Sequence, residues 1–313
     1  MKEYAFGIDL GGTTAKIGLF KTTGELLEKW EVPTDTSNAG EHILENLAAA
    51  VQGKMQEKGL AAAQVEGVGV GVPGPVLDSR IVPIICANLG GWGKHNVAEE
   101  LSTMLGGIRV LVGNDANVAA LGEIWMGAAK GCRSAVMVTL GTGVGGGIVA
   151  DGQLLEGVGG TGAEVGHTVL VLDGEDCTCG RKGCWEAYAS ATALIRQGKR
   201  AAAAQPESLL AGYGEGLTGK DVFDAAAAGD AAAQAVVDRY CVYVAAGITD
   251  LVNILGPEKV LIGGGISRQG ERLLAPIRAY VAANCFGGHD RTPPVIECAR
   301  LGNEAGIIGA AAL

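Results

Sequence analysis

Residues 9–27 read DLGGTTAKIGLFKTTGELL, and residues 140–155 read LGTGVGGGIVADGQLL. Each stretch is an apolar strand, a glycine and threonine turn, a second apolar strand, a turn ending in glycine, then a polar residue and Leu-Leu. Self-similarity of this kind predicts two lobes built on one plan. Working outward, Tyr4 to Leu10 and Ala15 to Phe20 read as strands around Gly11-Gly12-Thr13-Thr14. Ile43, Leu44, Leu47, Val51 and Met55 fall at helical spacing within residues 41–58. Val65 to Val72 is a β-rich run stopped by Pro73-Gly74-Pro75. A strand over Ile108 to Val112 leads into Asn114-Asp115, either of which can cap a helix running on through Glu123. After the strand Ser134 to Leu140, Ala-rich helices extend from Ala187 to about Ala235 with a loop near residues 205–218. A longer helix covers Ala231 to Leu255, Val260 to Ile262 is a strand ended by Gly263-Gly264-Gly265, and Gly306 to Leu313 closes the chain as a short helix. Strands alternating with helices give the α/β class.

The 313 residues suffice for two cores, and 48% apolar with 19% charged residues is the composition of a folded globular protein. A net charge of −10 argues against an electrostatic nucleic-acid binder, which needs a basic face. A bound polyanion must then be held by local dipoles and backbone N–H groups. Met1 to Phe6 lacks the basic start and long apolar core of a leader, and no stretch reads as a membrane span, so a cytoplasmic protein is expected. The 52 glycines are about twice the usual share and cluster in short loops after apolar runs.

A phosphate site needs several backbone N–H groups converging with no Cβ in the way. Gly11-Gly12-Thr13-Thr14, with Lys16 close by, meets that need, and Gly141-Thr142-Gly143 does so in the second half. Either turn alone reads equally as a tight hairpin. Gly141, Gly143 and Gly146 also match G-x-G-x-x-G, but a dinucleotide site requires a helix directly after the loop. A strand is expected there instead, and no Gly-Lys pair is followed by Ser or Thr as a Walker loop demands. Two matched turns together with Gly264 and Gly265 form a set able to grip a nucleotide from both lobes.

Cys177, Cys179 and Cys184 have the spacing of a metal knuckle, and His167 is the histidine within reach as a fourth ligand. A redox pair lacks its C-x-x-C, and a disulfide is disfavoured in a reducing compartment. Four ligands with no open position predict a structural Zn²⁺. Cys86, Cys132, Cys241, Cys285 and Cys298 are scattered and are assigned to packing or inert surface.

Taken together, these features resemble the ROK family of bacterial sugar kinases and repressors. The resemblance rests on Asp9-Leu-Gly-Gly-Thr13 with Lys16, Gly71-Val-Pro-Gly74, Asn88 before Gly91-Trp92, Asn114-Asp115, Leu140-Gly-Thr-Gly143, Glu164-Val-Gly-His167, the cysteine run ending in Cys184-Trp185-Glu186, and Gly263-Gly-Gly265. It implies the actin-like ATPase (ribonuclease H-like) fold, with a smaller lobe from residues 1–114 plus 302–313. A larger lobe would span residues 115–301 and carry the zinc segment 167–186. The repressors of the family carry an N-terminal helix-turn-helix, for which no room is expected before a phosphate loop starting at residue 9. Homodimers or homotetramers are implied.

The implied activity is ATP-dependent phosphorylation of a hexose at its 6-hydroxyl, glucose leading. The same chemistry on N-acetylmannosamine, N-acetylglucosamine, mannose, fructose or allose is the nearest alternative. A non-catalytic sugar sensor would have no use for Asp115 and both phosphate turns, and a zinc interaction module would leave the glycine loops idle. By the resemblance, Asp115 is the base that takes the sugar proton, its competing reading being a helix cap. Gly71, Asn88, Asn114, Asp115, Glu164, His167 and Glu186 would hold the sugar. Asp9 would hold Mg²⁺, and Gly11, Gly12, Thr13, Thr14, Lys16, Gly141, Thr142, Gly143, Gly264 and Gly265 would contact ATP.

Overall fold

The computed structural model describes residues 2–290 and 292–313; Met1, where the leader reading begins, lies outside the described residues. In chain order the first half runs β1 (Tyr4–Leu10), β2 (Thr14–Lys21), β3 (Leu26–Pro33), α1 (Ile43–Lys58), β4 (Val65–Val72), β5 (Ile81–Cys86), β6 (Trp92–Asn96), α2 (Val97–Met104), β7 (Val110–Asn114) and α3 (Asp115–Trp125). The second runs β8 (Ala135–Leu140), β9 (Val144–Ala150), β10 (Gln153–Leu154), α4 (Glu186–Ala189), α5 (Ala191–Ala204), α6 (Gly219–Ala227), α7 (Ala231–Leu255), β11 (Lys259–Gly263), α8 (Glu271–Asn284), β12 (Val295–Cys298) and α9 (Ala305–Ala311).

Two five-stranded sheets have the orders β3-β2-β1-β4-β7 and β10-β9-β8-β11-β12. In each, an antiparallel hairpin supplies the first strands and the following strands join parallel, so the two sheets share one topology. The repeat seen in residues 9–27 and 140–155 is this hairpin, used twice. Two copies of that sheet facing a common cleft are the actin-like arrangement.

Each sheet has its own apolar core. Phe6, Ile8, Ile17, Val70 and Val112 pack with Leu44, Leu47 and Val51 of α1 in the first. Val138, Ile148 and Ile262 pack with Tyr240, Val244 and Ile248 of α7 in the second. α9 leaves the second sheet and returns to pack on β1 and β4 and along α3.

Local chemistry accounts for the elements that frame the site. Asn114 is the cap of α3: its side-chain oxygen accepts from the N–H groups of Ala116 and Asn117 at 3.0 and 3.2 Å, and Asp115 Oδ1 shares the Ala116 N–H at 2.8 Å. α7 starts where Asp230 accepts from Ala233 N–H and stops at Gly256 in the left-handed region. Gly141–Gly143 is followed at once by β9, antiparallel to β8, which removes the dinucleotide reading on geometry. Among the described residues no helix is long and apolar enough to cross a membrane.

Candidate active site

A cleft of about 840 Å³ lies between the sheets. From the first half come Asp9 and Lys16, which face each other across the β1–β2 ladder. Asp115 reaches it from the first residue of α3, while Gly141, Thr142 and Gly143 line it from the β8–β9 turn. Gly263, Gly264 and Gly265 enter at the end of β11, and Glu164, His167 and Glu186 stand along the same cavity. Residues separated by more than 290 positions in sequence, Asp9 and Asn303 among them, thus share one wall.

Burial pushes the Asp9 carboxyl above its usual range, with Lys16 pulling the other way. Burial raises Asp115 too. The Ala116 N–H hydrogen bond offsets part of that shift, and the charge of Asp9 adds to it. Asp115 remains open to solvent through the cleft mouth while enclosed by protein on its other sides. Among the described residues, four carboxylates, Asp9, Asp115, Glu164 and Glu186, meet only Lys16 and Arg268 as cations on the cleft wall. That surplus of negative charge fits a divalent cation arriving with a polyphosphate.

Glu164 and His167 flank a single 3₁₀ turn, Val165–His167, so the two side chains, three residues apart, fall on one side. Val165 is buried in the second core and holds that turn down. Glu186 is placed by its neighbour: Trp185 is fully buried, its Nε1 donates to Tyr243 O at 2.8 Å, and its ring fills the space at Gly247 of α7. With Trp185 pinned, Glu186 turns toward the cleft. Its Oε2 accepts from Val144 N–H at 3.0 Å, and its Oε1 accepts from the Thr178 hydroxyl at 3.2 Å. A Cβ at Gly143 would sit 2.2 Å from that Oε2, so only glycine admits the carboxylate against the turn.

The ligand atoms of His167, Cys177, Cys179 and Cys184 all lie within 4.8 Å of one another. His167 Nδ1 is 3.6 Å from Cys177 Sγ, and Cys179 Sγ is 3.7 Å from Cys184 Sγ. Zinc bonds of about 2.3 Å to sulfur and about 2.0 Å to nitrogen give tetrahedral edges of about 3.8 and about 3.5 Å. The donor set therefore has the dimensions of a tetrahedral site. Burial and the sulfurs of Cys177 and Cys179 push the Cys184 thiol up to about 12, a crowding that a cation would relieve. All eight cysteines are free thiols; Cys86, Cys241 and Cys285 are buried, and Cys132 and Cys298 partly so.

Not every expected residue lines the cleft. Asn114 is committed within the protein, capping α3 and donating from Nδ2 to Gly74 O at 3.0 Å. Gly71 lies under Val118 and Ile8, and Asn88 is exposed with its carbonyl against Gly12. Gly11, Gly12, Thr13 and Thr14 form a tight turn at the rim: Gly11 N–H donates to Thr14 O, and Thr13 O accepts from Thr34 N–H. Those contacts draw the tip toward Thr34 and Asn88 rather than into the cavity. Conversely, Thr139, Ser267, Arg268, Gly302, Asn303 and Gly306 line the cleft without having been singled out in the sequence.

A family model described as the ROK family matches residues 5–313. The chain belongs to the ROK family. It is 41% identical over 312 residues to a glucokinase of Halalkalibacterium halodurans, covering 97% of this chain and 92% of that one. It is 32% identical over 306 residues to an N-acetylmannosamine kinase of Escherichia fergusonii, covering 98% and 96%. Among solved structures, a ROK family glucokinase from Streptomyces griseus in complex with glucose and AMPPNP superposes with a TM-score of 0.76 at 37% identity, covering 99% and 98% of the two chains. In the present chain the β8–β9 turn and His167 of the knuckle face one cavity.

Proposed function

We infer that this ROK protein is an ATP-dependent sugar kinase that phosphorylates glucose at its 6-hydroxyl. The observation that carries the reading is the convergence of Asp115, Asp9, the β8–β9 turn and the Glu164–His167–Glu186 group on one cleft between two like sheets. Its kinship with proteins named glucokinase supports glucose over the other hexoses.

Phosphoryl transfer asks a protein mainly for positioning and charge stabilisation. Asp115 is the base that accepts the 6-hydroxyl proton as the O–P bond forms. Its carboxylate stands at the first turn of α3 and lines the cleft while Oδ1 accepts from Ala116 N–H at 2.8 Å. Glu164, His167 and Glu186 hold the ring hydroxyls; carboxylates suit this because each accepts from adjacent hydroxyls. His167 turns Nδ1 to the cysteines and so has Nε2 for the sugar.

Lys16, Gly141–Gly143, Gly264, Gly265 and Arg268 contact the nucleotide, and Gly11–Thr14 join them as the cleft narrows. Asp9 would hold Mg²⁺, which would supply neutralisation of the phosphate charge. Zn²⁺ on His167, Cys177, Cys179 and Cys184 serves structure. The lobes we propose are residues 1–114 with 302–313, and 115–301. A cytoplasmic homodimer or homotetramer completes the reading, and sedimentation would test that state.

The test is ADP release over glucose, N-acetylmannosamine, N-acetylglucosamine, mannose, fructose and allose, with Asp115→Asn as control. Glucose is expected to give the highest kcat/KM. Faster turnover of N-acetylmannosamine would move the assignment to that sugar, and sugar binding without ADP release would favour a sensor.

A further inference from the structure

The chain passes between the two five-stranded sheets twice: once from β7 through α3 to β8, and once from β12 to α9. Glu123, on the last turn of α3, is fully buried and touches both passages. Its Oε2 accepts from Ala128 N–H at 2.7 Å, in the segment that carries the chain into the second sheet. Its Oε1 accepts from Leu301 N–H at 2.7 Å, in the segment that brings it back. Both oxygens of one buried carboxylate are thus spent on two amides 173 residues apart, each a short charge-assisted bond.

The two passages also touch backbone to backbone. A Cβ at Gly309 would lie 1.7 Å from Val118 O, and one at Gly122 would lie 2.6 Å from Ala305 O. Close backbone packing at that joint leaves little room for one passage to slide along the other. Each passage also carries part of the cleft. α3 begins at Asp115, and the stretch after Leu301 supplies Gly302, Asn303 and Gly306, the last set against the Asp9 carboxylate.

We propose that Glu123 is the clasp of the joint between the sheets, a positioning residue that fixes the two passages and so the meeting of Asp115, Asp9 and the bound nucleotide. The proposal rests on the kinase reading for its kinetic arm alone. In the full-length protein, Glu123→Gln keeps the volume and one acceptor and loses the other. The variant is expected to bind glucose within threefold of the parent and to lose tenfold or more in kcat at temperatures well below its Tm. A folded variant with kcat within twofold of the parent would overturn the proposal, whatever its Tm, because that is the result of a purely structural brace.

The parent supplies a second readout that needs neither activity nor a folded variant. Amide exchange at Leu301, outside any helix or strand, is expected to be as slow as inside α3. Exchange at Leu301 as fast as at its neighbour Gly302 would also overturn the proposal. A parent with slow exchange at Leu301 and no kinase activity would sink the kinase reading and leave the clasp standing.

Discussion

Glu186 ties the β8–β9 turn to the cysteine knuckle, one oxygen on Val144 N–H and the other on the Thr178 hydroxyl. On the proposed reading this pairing would link the sugar and nucleotide halves of the cleft through a single carboxylate. Glu186→Gln keeps the volume but can no longer accept at both oxygens, so KM for glucose and for ATP should rise together. A rise in the glucose KM alone, measured by steady-state kinetics, would break the link.

Asp115→Asn should lower kcat by about 10² to 10⁴, the usual span for a general base. Because Asn114 is the cap, the variant should fold normally. Asn114→Ala, in contrast, should cost about 1 kcal/mol of stability. Thermal melts of the two variants separate the roles: equal destabilisation would mean that the cap is shared.

If Asp115 is the base, as proposed, its raised pKa should set the acid limb of kcat/KM. The base works deprotonated, so activity rises with pH through that pKa, and the limb should lie above the ordinary aspartate value of about 3.9. The stability sign is opposite to the common one. A carboxylate whose native pKa exceeds its unfolded pKa favours folding while protonated and loses that contribution as pH rises through the native value. Asp115→Asn should therefore melt no lower than the parent at neutral pH, and a clearly lower Tm would contradict this account.

Cys177→Ser, Cys179→Ser or Cys184→Ser should remove bound metal and abolish activity through loss of order around Glu186 and His167. Elemental analysis of the parent is expected to give one zinc per chain, and a strong chelator should lower Tm. A metal-free parent with full activity would refute the zinc assignment.

The elements beside the glycine turns were legible because an apolar run and a sharp stop mark each strand. α7 was legible from end to end because Asp230 caps it and Gly256 ends it. β3 passed unread: its LLEKWEVP alternates half-buried and exposed positions, and its charges hide a strand on the sheet edge. α8 carries Pro276 in its interior, which reads as a break, and the β5–β6 hairpin contains Pro83. In the site, the knuckle announced itself by residue type and spacing, whereas the roles of Asp9 and Asp115 came from the family resemblance. Arg268 and Asn303 belong to no motif and reach the cleft only because the β11 and β12 ends lie side by side.

The like topology of the sheets has a consequence for how a phosphate chain would be oriented in the cleft. A pocket made by repeating one unit is pseudo-symmetric, and a symmetric pocket would hold a phosphate chain either way round. Asp9 occupies the penultimate position of β1, and at the same place in β8 stands Thr139. One copy offers a charge where the other offers only a hydroxyl. That difference in charge between the two copies would give a bound phosphate chain one preferred orientation.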